Sequence, residues 1–161
     1  MAATFRVPGP CTVYFGGVSL GISKAGVNIR IRTTWTPVTD DEHGTEPADF
    51  IFTGKAAQVE VVGLDTTLIK AANIWGDYGG LLMGVTNSLY AIGAKASALS
   101  KAFSIVERQA SYTWTALRAV PTDPDQMTLA STVELQIPVT FLIVPDANGK
   151  LFSTFPSYLV A

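Results

Sequence analysis

Catalysis needs groups that exchange protons or attack, and this chain offers few. His43 is its single histidine and Cys11 its single cysteine. A histidine-activated hydroxyl would need His43 held by a packed orienting group. His43 instead follows Asp40, Asp41 and Glu42 in an acidic stretch bracketed by Pro37 and Pro47. A solvated loop histidine is the simpler reading, because a mobile loop positions nothing for proton transfer. The three adjacent acids could do acid–base work or hold Ca²⁺ weakly, but they lack the ligand pattern of an EF-hand loop. Adjacent acids on a loop more commonly hydrate it. One cysteine and one histidine cannot complete a zinc tetrahedron of such ligands, and a lone cysteine closes no internal disulfide. Gly16-Gly17-Val18-Ser19-Leu20-Gly21 lacks the dinucleotide fingerprint, and no Lys-Ser or Lys-Thr pair follows a glycine loop. Arg30 and Arg32 share the polar side of one segment. Pairing with an acid on a neighbouring subunit and plain solvation of that face are equally good readings, since exposed ion pairs contribute little. The residues therefore imply no catalytic, metal or cofactor site.

The elements that would position these groups read as mainly β. Cys11–Phe15 and Val18–Ile22 are β-prone runs joined by Gly16-Gly17, a pair suited to a tight primed turn. From Ala25 to Trp35 the alternation is clean, with Val27, Ile29, Ile31, Thr33 and Trp35 on one face and Asn28, Arg30, Arg32 and Thr34 on the other. This predicts a long half-buried strand with Trp35 continuing the core face. Ile51–Gly63 is a second such strand, with Ala57, Val59 and Val61 inward. Strand signal returns from Lys101 to Gln109, from Tyr112 to Val120, and from Thr128 onward. In the last strong strand Leu135, Ile137, Val139, Phe141 and Ile143 alternate. Pro138 lacks a backbone donor, so that strand should be an edge or carry a bulge there. Turns are predicted at Pro121–Asp125 and Asp146–Gly149.

Between the two central strands, 36–49 holds Asp40, Asp41, Glu42, Glu46 and Asp49 with no Lys or Arg, together with Pro37, Gly44 and Pro47. Like charges repel and prolines interrupt ladders, so a long exposed loop is predicted. Asp65 can cap a short helix over Thr66–Trp75 that Gly76 ends, with Leu68, Ile69, Ala72 and Trp75 in one apolar stripe. The glycine-rich, nearly uncharged connection 76–100 follows without a predicted structure. The fold class is a β-sandwich or barrel flanked by one α-helix, in a single domain spanning 1–161.

Composition narrows the function classes. Of 161 residues, 48% are hydrophobic and 15% charged, against roughly 25% charged in an average soluble domain. A domain of this size cannot bury that much apolar surface alone, so subunit interfaces are its expected destination, in preference to a well-filled β-sandwich core with ordinary surface leucines. A net charge of −2 and a pI near 5.3 argue against gripping nucleic acid by phosphate neutralisation. No run reaches the roughly 18 consecutive apolar residues that a membrane span needs, and Met1–Pro10 has no secretory h-region. A soluble domain made inside the cell is expected.

The order of these elements resembles that of the tail tube proteins of long-tailed bacteriophages. The resemblance runs from the opening hairpin and LGISKAGVNIRI (Leu20–Ile31) through the acidic loop ending in GTEPADFIFTGKAAQVEV (Gly44–Val61), then the single helix. It closes on RAVPTDPDQMTL (Arg118–Leu129) and IPVTFLIVPDANGKLF (Ile137–Phe152). The Gly76–Gly93 stretch matches nothing in the family pattern. The resemblance implies a non-enzymatic virion structural protein, made in the host cytoplasm and assembled into the tail. Six copies would form a ring, and rings would stack into a hollow tube, with other tail proteins as further partners. Double-stranded DNA would pass through the lumen during ejection without sequence-specific binding. The loop 36–49, carrying Asp40, Asp41, Glu42, His43, Glu46 and Asp49, would contact the neighbouring ring and become ordered on stacking. Two alternatives stand beside it. One is a monomeric β-sandwich that binds glycan or a host surface through Trp35, Trp75, Trp114 or tyrosines as stacking platforms. The other is the tube of an injection machine that delivers protein.

Overall fold

The computed structural model of the chain describes residues 2–7, 9–23, 26–39, 46–65, 95–108, 112–122 and 136–154. Among these are eight strands: β1 (Ala2–Val7), β2 (Cys11–Phe15), β3 (Val18–Ser23), β4 (Val27–Val38), β5 (Asp49–Asp65), β6 (Lys101–Glu107), β7 (Thr113–Pro121) and β8 (Gln136–Ile143). One short helix, α1 (Ala96–Leu99), precedes β6. All pairings are antiparallel, in the order β1-β4-β5-β3-β2-β6-β7-β8, and β8 also pairs with β5. The extra pairing closes a ring of six strands, β5-β3-β2-β6-β7-β8, in which β3 meets β5 through Ser23 opposite Leu64. The mainly β architecture read from the sequence is therefore present, as a small barrel with β1 and β4 added on one side of β5.

The barrel starts as a bent hairpin. Gly16 and Gly17 have φ of 59° and 82°, which is what a type I′ turn between β2 and β3 demands. The same two chain segments then continue as β1 and β4, paired from Val7 opposite Val27 to Ala2 opposite Arg32. The corner lies at Ser23–Gly26. The Ser23 hydroxyl donates to the Gly26 carbonyl at 2.6 Å. Gly26 has φ of 84°, and a Cβ there would lie 2.7 Å from the Val7 carbonyl oxygen. Only glycine satisfies both the backbone conformation and this approach.

Inward side chains fill the barrel. Val13, Phe15, Leu20, Val27, Ile29, Val59, Val61, Phe103, Ile105, Val139 and Phe141 are all buried. Phe141 stacks between Phe15 and Phe103, with ring centroids 5.3 and 4.6 Å away. Each such side chain contributes roughly 1.5–3 kcal/mol by leaving water. Trp114, held against Phe152 at 5.4 Å in an edge-on contact, closes one end. At Pro138 the register against β5 shifts between Val61 and Leu64, so residues 62 and 63 stand opposite the one proline. The irregularity expected there is present, but the extra residue is on β5 and not on the proline's own strand.

Three expectations change. The loop 36–49 is shorter, because Thr36, Pro37 and Val38 pair with Ile51, Phe50 and Asp49. Pro37 is tolerated there because the strand has no described neighbour on its other side. Ala2–Val7, passed over in the sequence, is a strand. Within 76–100 lies the one-turn α1. The helix expected over Thr66–Trp75, the rest of 76–94, most of Pro121–Asp125 and the strand start at Thr128 lie outside the described residues.

Cys11 is fully buried, and its thiol is pushed up to about 11, first by burial and then by the Glu107 carboxylate. The folded protein therefore keeps the proton that the unfolded chain releases near pH 9. Stability from this group is whole below pH 9 and is lost as pH rises toward 11. We expect urea midpoints to fall across that window, and the fall to be smaller in Cys11→Ala. Native protein should resist alkylation at pH 8 that modifies the unfolded chain readily.

Candidate functional site

The longest ladder in the molecule is β4 on β5, from Val27 opposite Val61 to Val38 opposite Asp49. Its supports end early. β1 covers β4 only as far as Arg32, and β8 covers β5 only from Ala57. Thr33–Val38 and Asp49–Ala56 therefore run on as a two-stranded ribbon, about 20 Å long at the usual rise per residue. Its tip is drawn together by the Ala48 N–H donating to the Val38 carbonyl at 2.8 Å.

The faces of this ribbon are unequal. A bulge at Thr34/Trp35 sets Trp35 opposite Phe52 and Pro37 opposite Phe50, so these four share one face. Thr53, the extra residue, ties its hydroxyl to the Thr34 carbonyl at 3.0 Å. Trp35 and Phe52 meet edge to face at 5.3 Å. Yet Trp35 is 52% exposed, Phe52 47% and Phe50 54%. On the other face Ile51 is 58% exposed beside Thr36 and Val38. Trp35 thus does continue the alternation of Ile29 and Ile31, but it lies past the end of the barrel and outside the core cluster of the described residues. The ribbon carries a cluster of large exposed apolar side chains on one element, which is more than scattered single surface leucines.

The other sequence-derived candidates are placed as follows. Arg30 and Arg32 project to the outer, exposed side of β4, as their alternation requires. The Arg30 guanidinium lies 3.5 Å from the Glu60 carboxylate on β5, so a partner exists within the same chain. Both groups are well exposed, and such a pair contributes little. Glu46 and Asp49 are exposed at the ribbon tip, where the Asp49 carboxylate accepts the Phe50 N–H at 2.7 Å. Asp40, Asp41, Glu42 and His43 lie outside the described residues, as does Trp75. Trp114 is buried between Phe5 and Phe152 and offers no open ring face.

Among the described residues no group of three His, Cys, Asp or Glu is placed to hold a metal ion, and no helix is long and apolar enough to cross a membrane. One shallow cleft, about 330 Å³, lies beside the Gly16-Gly17 turn and is lined by Tyr14, Gly17, Ala102, Phe103, Ser104 and Thr115. It contains hydroxyls but no charge or base, so it assembles no reacting pair. Phe50, Ile51 and Phe52 are the site residues that sequence reading missed. Their signal was present, as three consecutive large apolar residues directly after an acidic stretch. No family model, no curated protein and no solved structure matches the chain.

Because Trp35 and Phe52 are about half exposed and lie outside the buried core cluster, removing either should barely affect the isolated subunit. Urea unfolding of Trp35→Ala and Phe52→Ala is expected within about 1 kcal/mol of wild type. Phe141→Ala, in the barrel centre, should cost about 3–5 kcal/mol. A large loss for Trp35→Ala would mean that the ribbon face is already covered within one chain.

Proposed function

We propose that this protein is a self-assembling structural subunit, a tail tube protein whose hexameric rings stack into the conduit for double-stranded DNA. The observation that carries this reading is the ribbon's uncovered apolar face, Trp35, Pro37, Phe50 and Phe52. Water contact with these side chains is unfavourable, and a second copy removes it at an interface. The low charge of the chain fits the same conclusion, since interface cores are depleted in charge. The ribbon occupies the position of the 36–49 loop and takes over its part, the contact with a neighbouring ring. The ladder edges of β1 and of the ribbon, unpaired among the described residues, give further places for subunits to join, and pairing them removes an aggregation hazard. A net acidic chain suits a channel through which DNA slides, because tight phosphate contacts would act as brakes.

Exposed Trp35 also favours a second reading, a monomeric module that stacks a sugar ring on that face. A tube that delivers protein would use the same assembly surfaces. Negative-stain electron microscopy and sedimentation across a concentration series separate assembly from binding. Hollow rings or tubes with a regular axial repeat are the expected result. A monodisperse monomer at every concentration would contradict the tube reading and favour the binding module.

A further inference from the structure

At the base of the ribbon, on the side that carries Trp35 and Phe52, lies a cleft of about 370 Å³ lined by Ile31, Lys55, Gly149, Lys150, Leu151, Phe152 and Ser153. Its apolar part is Ile31, Leu151 and Phe152, which are buried or half-buried, while Lys55 and Lys150 are exposed beside them. No acid is among the described residues that line it. Its outer wall is fixed rather than loose. The Asp146 carboxylate accepts the N–H groups of Asn148 and Lys150, both at 2.8 Å, and the Asp146 N–H donates to the Lys150 carbonyl at 2.9 Å. Gly149 takes φ of 75° to complete the turn. Beyond it, the Ser153 N–H donates to the Thr115 carbonyl at 2.8 Å, anchoring the wall to β7.

Two ammonium groups over an apolar floor fit an occupant with carboxylates next to a large apolar side chain. The chain itself carries that pattern at the opposite end of the ribbon: Glu46, Pro47, Ala48, Asp49 and Phe50, all exposed. From Thr36 to Phe50 there is no Lys or Arg at all. A ribbon about 20 Å long cannot bend its tip back to its own base, so a tip that reaches this cleft comes from another copy.

We propose that the ribbon tip of one copy, Glu46 to Phe50, seats in the Lys55–Lys150 cleft of a second copy. Glu46 and Asp49 approach the two ammonium groups, and Phe50 covers Ile31, Leu151 and Phe152. Opposite charges steer and register the encounter, while the apolar contact supplies the buried area. This rests on the self-assembly reading and names the surface that receives the ribbon.

A charge exchange tests it in the full chain. Lys55→Glu/Lys150→Glu and Glu46→Lys/Asp49→Lys are made separately, checked for the native circular dichroism spectrum, and sedimented beside wild type. Each reversed chain alone should need a concentration raised roughly tenfold or more to assemble. An equimolar mixture should regain assembly, because every cleft again meets a tip of opposite charge. If wild type assembles and both reversed chains assemble equally well, or if the mixture stays unassembled, the docking is overturned while self-assembly stands. If wild type itself does not assemble, the self-assembly reading falls and the docking with it.

Discussion

The β4–β5 ladder outgrows the barrel that supports it, and the rest of the molecule is organised around that fact. Up to Arg32 on one strand and from Ala57 on the other, each has a second neighbour and a packed interior face. Beyond those residues the same hydrogen-bonded pair continues with no further strand beside it among the described residues. An isolated two-stranded ribbon is marginal in water. This one is held by its covalent continuity with the barrel and by the Trp35–Phe52 contact. It also keeps an apolar face in solvent. Trp35, Pro37, Phe50 and Phe52 make up that face, and Ile51 is exposed on the other.

The barrel makes the projection possible by being closed. Its ring of six strands leaves few edges, and Phe15, Phe103 and Phe141 fix its centre. The bend at Ser23–Gly26 allows one continuous hairpin to serve as β2–β3 in the ring and as β1–β4 beside it. Charges are kept outward on β4, where Arg30 meets Glu60. The inner side of β4 and β5 passes without a break from the core, through the Ile31–Phe152 cleft, to the ribbon's aromatic face. One side of one hairpin thus holds the core, the cleft and the exposed patch in sequence.

Much of this was legible in the residues. Alternation from Val27 to Ile31 and from Ala57 to Val61 marked the two central strands, Gly16-Gly17 the tight hairpin, and Pro138 the place of the bulge, whose extra residue is on the facing strand β5. What alternation cannot report is where the layer beneath a strand ends. Trp35 has the correct phase for the core and lies beyond it. Prolines and like charges over 36–49 suggested a loop throughout, but a ribbon with one open side accepts Pro37 without losing a ladder bond. Thr4 and Arg6 alternate with Phe5 and Val7, so β1 had a signal, though too short to stand out beside Pro8 and Pro10. The candidate surface itself, Phe50 to Phe52, depends on a register that only the folded hairpin supplies. Spatial closeness of Lys55 and Lys150, almost a hundred positions apart, has no trace in sequence at all.

Amide hydrogen exchange across the ribbon is the most direct test of this account. In the dilute subunit, Thr33–Val38 and Asp49–Gly54 should exchange far faster than Val27–Ile31 and Ala57–Val61, because no third strand among the described residues pairs with them. Once the protein has assembled, the ribbon amides should slow together while the barrel amides change little. Equal protection of ribbon and barrel in the dilute subunit, unchanged on assembly, would contradict the claim that this face is open until another copy covers it.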